Sequence, residues 1–275
     1  MHPELIKIGP FPIHTYGFLI AVGFIISAEV LRVLSNRAKL DTERVLEAAY
    51  WSLLVGLLGA RMLFIITQWS EFSRDPAGIF RIWEGGLVFL GGPILVVPFL
   101  VWYLKKYKVP IWPLFDIAAP ALAIGHVFGR LGCLAAGCCY GKPTGTWFGV
   151  KLYSNIVEPH LQGIPLHPTQ LYEAGSLLIL FFGLLFIGKR KVFEGQVALS
   201  YLIAYPVIRS IIEVYRGDIV RGFVIEDVLS TSQFISIFVF IGAVGVLIFR
   251  LKQVQKEALQ EVNQRLQEQK TSETQ

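Results

Sequence analysis

Long apolar runs alternate with short polar segments along most of the chain. Seven of these runs are about twenty residues long, which is the length an α-helix needs to cross the hydrocarbon core of a bilayer. They cover residues 15–34, 48–68, 85–104, 114–136, 169–187, 196–214 and 232–250. The pattern predicts an all-α, polytopic membrane protein with about seven transmembrane helices. The first run lacks a basic stretch before it and a small-residue cleavage site after it, so we expect a retained helix and not a cleaved signal peptide.

Composition supports a single membrane domain. Apolar residues make up 54% of the 275 residues and charged residues 16%, whereas soluble domains carry about 25% charged residues. We expect one membrane domain over residues 1–251, with an external loop at about 137–168 where repeated Gly and Pro interrupt the apolar sequence. The polar segment 252–275 predicts a cytoplasmic helical tail.

The Lys and Arg residues predict an orientation, because they are denser on the cytoplasmic side of membrane proteins. Dense clusters follow the first, third, fifth and seventh runs. They are Arg32, Arg37, Lys39 and Arg44, then Lys105, Lys106 and Lys108, then Lys189, Arg190 and Lys191, and finally Arg250, Lys252 and Lys256. The N-terminus is therefore expected outside and the C-terminus in the cytoplasm. The same pattern accounts for the net charge of +5 without a nucleic-acid partner.

Polar side chains also lie inside or at the ends of the apolar runs, where a charge costs a few kcal/mol and needs a reason. The predicted orientation places most of them in the outward half of the bilayer. These are Arg61, Arg130, Arg209, Tyr16, His167, Gln170 and Glu173. Asp116 and Glu29 are the exceptions. A convergent polar set on one side of the membrane predicts an outward-facing site.

The spacing of three of these charges favours an anion site. Arg209 and Glu213 are four residues apart, so they share a helix face and can pair, and Arg216 lies three residues beyond on nearly the same face. Several arginines with few uncompensated carboxylates suit a phosphate headgroup. Structural ion pairs between helices are the alternative, which stays open for Arg61 and Asp116 as well.

The segment GRLGCLAAGCCYG surrounds Arg130 with glycines, including Gly132 and Gly141. Glycines allow the backbone to approach a ligand closely and to offer its N–H groups. His126, one helical turn before the arginine, is interpreted as a packing residue.

The chain has three cysteines, Cys133, Cys138 and Cys139. Three clustered cysteines do not make a disulfide framework, and they show no metal-ligand spacing with a nearby His pair. We interpret them as small packing residues, with a redox role as the alternative. The sequence implies no cofactor and no metal.

Seven segments in a specific order carry a resemblance to a known family. They are IHTYGFL, LLGARMLF, WEGGLVFLGG, FDIAAPALAIGHVFGRLGC, HPTQLYEA, IRSIIEVYRGD and LSTSQFIS. Over residues 10 to about 250 the chain resembles the bacterial prolipoprotein diacylglyceryl transferases. The resemblance implies transfer of the diacylglyceryl group of phosphatidylglycerol to the lipobox cysteine of a prolipoprotein signal peptide, with loss of glycerol phosphate. It also implies a place in the bacterial inner membrane, with the active site toward the periplasmic or outer leaflet.

The residue pattern and the resemblance together suggest roles for individual positions. The expected catalytic residues are Arg130, Arg209, Tyr16 and Glu213. The expected substrate-binding residues are Arg130, Arg209, Arg216, Cys133, Gly132, Gly141, Asp116, His167, Gln170, Glu173 and Arg61.

The chain departs from the family pattern at its signature. The family usually reads GRIGNFxNGE where this chain reads GRLGCLAAGCC, so Cys133 and Ala136 replace two Asn residues and Cys138 replaces the Glu. Leu90 stands where many members have a His that has been discussed as a base, which leaves removal of the proton unassigned. A divergent paralogue with another lipid or acceptor is therefore an alternative. A transporter of an anionic lipid-like substrate, or a thiol oxidoreductase using Cys138 and Cys139, would be a different class.

Overall fold

The computed structural model describes residues 4–8, 11–81, 85–88, 90–218, 222–225 and 228–273. The helices in this part of the chain are α1 (Thr15–Arg37), α2 (Thr42–Thr67), α3 (Trp69–Phe72), α4 (Gly91–Lys106), α5 (Ile111–Ala136), α6 (Thr169–Arg190), α7 (Gln196–Tyr215) and α8 (Thr231–Glu273). Short 3-10 helices cover Pro76–Phe80 and Pro159–Leu161. Three antiparallel two-stranded sheets pair β1 (Glu4–Ile8) with β2 (Phe11–His14), β3 (Val150–Lys151) with β4 (Pro165–Leu166), and β5 (Phe223–Ile225) with β6 (Leu229–Ser230).

Six helices of the described chain are long and apolar enough to cross a membrane, namely α1, α2, α5, α6, α7 and α8. The predicted class, a polytopic membrane protein built from helices, is confirmed at this level. The third apolar run differs from the prediction, because its helix begins at Gly91 and not at residue 85. Gly85 and Gly86 have φ values of +89° and +81°, which no α-helix contains. The 16 residues of α4 span about 24 Å, which is less than the hydrocarbon core.

The chain divides into two compact units, Met1–Ser27 with Phe115–Gln275, and Ala28–Leu114. In the second unit, α2 packs against α4 through two glycines. A Cβ atom on Gly59 would lie 2.2 Å from the carbonyl oxygen of Gly91. The two backbones therefore touch, as small residues allow between membrane helices.

In the first unit, α6 packs on α7 and α7 on α8. The first half of α1 packs on α5, where the Ser27 hydroxyl donates to the Ala121 carbonyl at 2.8 Å. Of the six long helices, α5 is the most buried. The arginine that the sequence singled out on this helix therefore lies inside the unit.

The segment between α5 and α6 forms a small structure of its own, as expected for residues with too little apolar continuity to span. Tyr140, Leu152, Val157, Leu161 and Leu166 form its hydrophobic core. Backbone hydrogen bonds join Gly141 to His167 and Gly217 to Tyr140. This segment thereby ties the end of α5 to the start of α6 and the end of α7.

The polar tail continues the last apolar run without a break, since α8 runs from Thr231 to Glu273. Val254, beyond the apolar run, packs against a cluster that contains Phe193, Leu199 and Ala243. The helix therefore extends through the polar segment as far as Glu273.

Candidate active site

A buried row of alternating guanidinium and carboxylate groups lies in the first unit. Arg130 comes from α5, Glu173 from α6, and Arg209 and Glu213 from α7. Arg216 and Asp218 follow directly after α7. All of these side chains except that of Arg130 belong to residues that are at most 9% exposed. The structure thus brings together Arg130, Arg209 and Arg216, which were predicted to form an anion site. Arg61 is not part of this row.

Distances along the row show continuous ion pairing. Arg130 Nη2 lies 3.0 Å from Glu173 Oε1, and Arg209 Nη1 lies 3.7 Å from Glu173 Oε2. Arg209 Nη2 lies 2.6 Å from Glu213 Oε2, which confirms the pairing predicted from their spacing. Arg216 Nη1 is 3.8 Å from the same Glu213 oxygen. Glu173 and Glu213 therefore each join two arginines.

Arg216 is fixed by the chain segment that follows α7. Its Nε and Nη2 donate to the two carboxylate oxygens of Asp218 at 2.8 and 2.7 Å. Burial lowers the pKa of Arg216, but the bidentate bond to Asp218 outweighs it and leaves that pKa above its usual value. The backbone of Arg216 also bridges to Gly141. A Cβ on Gly141 would lie 2.5 Å from His167 Cβ, so only glycine permits this close crossing.

The row is formally neutral, because three carboxylates face three guanidinium groups. We expected few uncompensated carboxylates, and each of the three carboxylates in the row is paired with an arginine. The pairing stabilises charges that burial would otherwise make very costly. Arg209 Nη1 is buried and makes no hydrogen bond to the described part of the chain. Arg130, with 15% of its side chain exposed, is the most accessible of the three arginines.

Two residues that the sequence analysis did not assign to the site contact Glu173 or Arg130. Arg130 Nε donates to His126 Nε2 at 3.3 Å, and His126 lies 3.8 Å from Glu173. The Tyr205 hydroxyl donates to Glu173 Oε1 at 3.0 Å. The sequence spacing could have predicted both contacts, because His126 precedes Arg130 by four residues and Tyr205 precedes Arg209 by four. Such spacing puts each pair on one helix face.

The three cysteines converge in space. The Sγ atoms of Cys133, Cys138 and Cys139 all lie within 4.8 Å of one another, and the three thiols are free and half-buried. Cys133 is on the last turn of α5, and the other two lie in the turn that follows it. Cys139 has a φ of +60°, which is uncommon for a residue other than glycine.

The start of α6 holds this turn in place. Thr169 Oγ1 donates to the Cys139 carbonyl at 2.6 Å, and Gln170 Nε2 donates to the Cys138 carbonyl at 2.7 Å. Gln170 is 1% exposed, and its Oε1 makes no hydrogen bond to any residue that the structure describes. Gln170, expected to bind substrate, therefore positions the cysteine turn.

The thiols adjoin the arginine row. The pKa of the Cys139 thiol lies below its ordinary value, because the Cys133 and Cys138 thiols hydrogen-bond to it and because the guanidinium groups of Arg216 and Arg130 attract the thiolate. Cys133 also lies three residues after Arg130 on α5, on nearly the same helix face.

Tyr16 reaches this region from the start of α1. A Cβ on Gly132 would lie 3.0 Å from Tyr16 Cδ2, so this glycine leaves room for the ring. At 42% exposure, Tyr16 lies at the open side of the region.

His167 lies among aromatic rings at the start of α6. Its Nδ1 is 3.0 Å from the Tyr172 hydroxyl, and its ring contacts those of Phe148, Tyr172 and Tyr215. The structure thus gives His167 an aromatic environment, and it brings His126, not His167, into contact with Arg130.

Asp116 does not join the arginine row. Its two oxygens accept hydrogen bonds from the backbone N–H groups of Gly195, Val197 and Ala198 at 2.9–3.0 Å, which caps the N-terminus of α7. Lys191 Nζ donates to the same carboxylate at 3.0 Å. Asp116 and Arg130 are fourteen residues apart on α5, which corresponds to about 21 Å along the helix. The structure favours helix capping over substrate binding for Asp116.

Arg61 belongs to the second unit. Its guanidinium donates to the carbonyls of Gly78, Gly85 and Gly86 at 2.6–3.1 Å. It thereby joins Gly85 and Gly86 to the 3-10 helix that contains Gly78. Leu90, directly before α4, is half exposed. Among the two readings of Arg61, these bonds favour the structural one.

Comparisons with known proteins agree with this picture. The model of the family described as prolipoprotein diacylglyceryl transferase matches residues 3–249. Phosphatidylglycerol–prolipoprotein diacylglyceryl transferase 2 of Clostridium perfringens is 34% identical over 242 residues, which are 88% of this chain and 92% of that protein. The phosphatidylglycerol–prolipoprotein diacylglyceryl transferase of Clostridium tetani is 33% identical over 260 residues, covering 94% of this chain and 100% of that protein. The chain belongs to the prolipoprotein diacylglyceryl transferase family.

Proposed function

We propose that this protein transfers the diacylglyceryl group of phosphatidylglycerol to the lipobox cysteine of prolipoprotein signal peptides. Relatives that align over most of the chain carry the name of this activity. The observation that carries the proposal is the buried row that joins Arg130, Glu173 and Arg209, in which a guanidinium nitrogen of Arg209 makes no hydrogen bond to the described chain.

The phosphate of the lipid binds between Arg130 and Arg209. A phosphate oxygen accepts from Arg209 Nη1 and another from Arg130, the more accessible of the two. Glu173 holds both guanidinium groups before the lipid arrives, so little reorganisation is needed when charge develops on the phosphate. Glu173 and Arg209 are buried, which strengthens these interactions.

The reaction is a displacement at carbon. The acceptor thiolate attacks the glyceryl carbon that carries the phosphate, a C–S bond forms, and the C–O bond breaks. The electron pair of that bond leaves with the oxygen of glycerol phosphate, whose negative charge the arginines stabilise. The thiol proton must be lost beforehand, and Leu90 in place of a His leaves that step to another group.

The topology follows from the distribution of Lys and Arg. The N-terminus is outside and the C-terminus is in the cytoplasm of a bacterial inner membrane, with α4 and the segment before it as a seventh, shorter crossing. In this orientation the arginine row faces the outer leaflet. Both the lipid and the signal peptide lie in the bilayer, so they enter the site sideways.

Complementation of a transferase-depleted bacterium tests the proposed function. Expression of this chain should restore growth and the mobility of lipidated lipoproteins on gels. Expression of an Arg209→Lys variant at the same level should not. Unlipidated lipoproteins in cells with well-inserted wild-type protein would contradict the proposal.

A further inference from the structure

We infer that Cys133, Cys138 and Cys139 bind a Zn²⁺ ion whose fourth coordination position takes the thiol of the acceptor cysteine. The role of the acceptor rests on the proposed function, whereas the ion site rests on the three thiols alone. Zinc with three protein ligands and one open position is the arrangement of catalytic zinc sites.

The sulfur positions suit this ion. A tetrahedral zinc with bonds of about 2.3 Å requires sulfur atoms about 3.8 Å apart. The three Sγ atoms lie within 4.8 Å of one another, so changes of about 1 Å in their separations give the zinc geometry. All three residues are half-buried.

The backbone holds these sulfurs together. Gly137 and Cys139 have φ values of +81° and +60°, which turn the chain sharply after α5. The bonds from Thr169 and Gln170 to the carbonyls of Cys139 and Cys138 fix that turn. A left-handed residue other than glycine, held by bonds from another helix, is typical of functional sites.

Disulfide formation suits the cluster less well than an ion. An odd number of thiols leaves one unpaired. The neighbours Cys138 and Cys139 are joined by a trans peptide, whose Cα atoms are about 3.8 Å apart, whereas disulfides usually need at least 4.4 Å. A cation uses all three sulfurs at once.

The ion provides a way to deprotonate the acceptor thiol, a step for which this chain has Leu90 where many family members have a His. A thiol that coordinates zinc is deprotonated, so its proton passes to water at the open side. The bound sulfur then forms the C–S bond as the C–O bond breaks, and glycerol phosphate leaves with the electron pair. The product is a neutral thioether, a weak zinc ligand, so it dissociates and reopens the position.

Metal binding is measured on the full chain in detergent with a reductant. We expect one Zn²⁺ per chain by elemental analysis, and Co²⁺ should give sulfur-to-cobalt charge transfer with the visible bands of a tetrahedral ion. Only these three residues can give such charge transfer, because the chain has three cysteines. Cys133→Ser, Cys138→Ser and Cys139→Ser should each weaken Zn²⁺ binding at least tenfold, whereas the matched control Ala135→Ser should not. Absence of the ion, or a disulfide in the reduced preparation, would overturn the site.

A second measurement separates the acceptor's role from the proposed function. A lipobox peptide should change the Co²⁺ spectrum, and the same peptide with Ser in place of Cys should not. Equal changes with both peptides, or metal-free protein that transfers as fast as the zinc-bound protein at every pH, would overturn activation by the ion. Arg209→Lys should lose transfer yet keep both metal and the spectral change. If wild-type protein gives the spectral change but no transfer from phosphatidylglycerol, the proposed function fails while the site stands.

Discussion

Arg209 Nη1 lies 3.7 Å from Glu173 Oε2, close enough for electrostatic attraction but too far for a hydrogen bond. The same nitrogen is buried and has no hydrogen-bond partner in the described chain. Buried donors of this kind usually have a partner, so an unused one in this row is consistent with the proposed phosphate position. Arg209 therefore pairs with Glu213 through Nη2, whereas its Nη1 can donate a hydrogen bond to a substrate.

Arg209→Lys is expected to lower transfer by about 10²–10³-fold, the usual loss when one preorganised donor is removed. Lysine keeps the charge but loses the planar fork that can bond Glu213 and a phosphate together. The measurement is the initial rate with purified protein in phosphatidylglycerol vesicles. Arg37→Lys, which changes an exposed arginine on α1, is the matched control and should transfer normally. Equal rates for the two variants would mean that Arg209 only joins helices.

Glu173→Gln should destabilise the protein, because it leaves Arg130 and Arg209 without the carboxylate between them. Breaking a buried pair in this way costs about 3–5 kcal/mol. Thermal unfolding in neutral detergent should show the loss. Added phosphatidylglycerol should restore part of it, since the phosphate replaces the missing negative charge. The same loss with and without the lipid would contradict a phosphate site here.

Asp116→Asn tests the capping role that the structure gives to this residue. The amide replaces one oxygen acceptor by a donor, so we expect a loss of about 1–3 kcal/mol from unpaired N–H groups at the start of α7. The KM for phosphatidylglycerol should stay unchanged in the folded fraction. A KM increase without loss of stability would return Asp116 to the substrate site.

His167→Ala and His167→Gln should retain transfer, because the ring lies among Phe148, Tyr172 and Tyr215. The rate should rise with pH as the acceptor thiol, with an ordinary pKa of about 8.5, ionises. An ion that binds this thiol moves the rise to lower pH, and the metal-free protein should show it at higher pH. Folded His167 variants without activity at every pH from about 6 to 9 would instead identify His167 as the base.

Reporter fusions test the orientation. Fusions after Lys108 and after Lys191 should report the cytoplasm, and a fusion near Lys151 should report the outside, as the basic clusters predict. A periplasmic signal at Lys191 would contradict the predicted topology.

Local spacing was enough to predict part of the site. The pairing of Arg209 with Glu213, and the nearness of Arg216, follow from helix geometry alone. The helices themselves follow from the length of the apolar runs, except where Gly85 and Gly86 delay the start of α4.

Contacts between distant segments were out of reach of such reasoning. The cysteine spacing shows no known motif, and the thiols meet because Cys139 adopts a left-handed conformation that Thr169, thirty residues later, helps to fix. In the same way, Asp116 caps a helix that begins eighty residues later. The periodicity of a sequence predicts which face of a helix is polar. It does not predict which backbone groups from distant segments will contact that face.

The most direct test of the account is mass spectrometry of a lipobox peptide incubated with the purified chain and phosphatidylglycerol. The peptide should gain one diacylglyceryl group on its cysteine, and an equal amount of glycerol phosphate should be released. A peptide of unchanged mass, with folded protein and intact lipid, would contradict it.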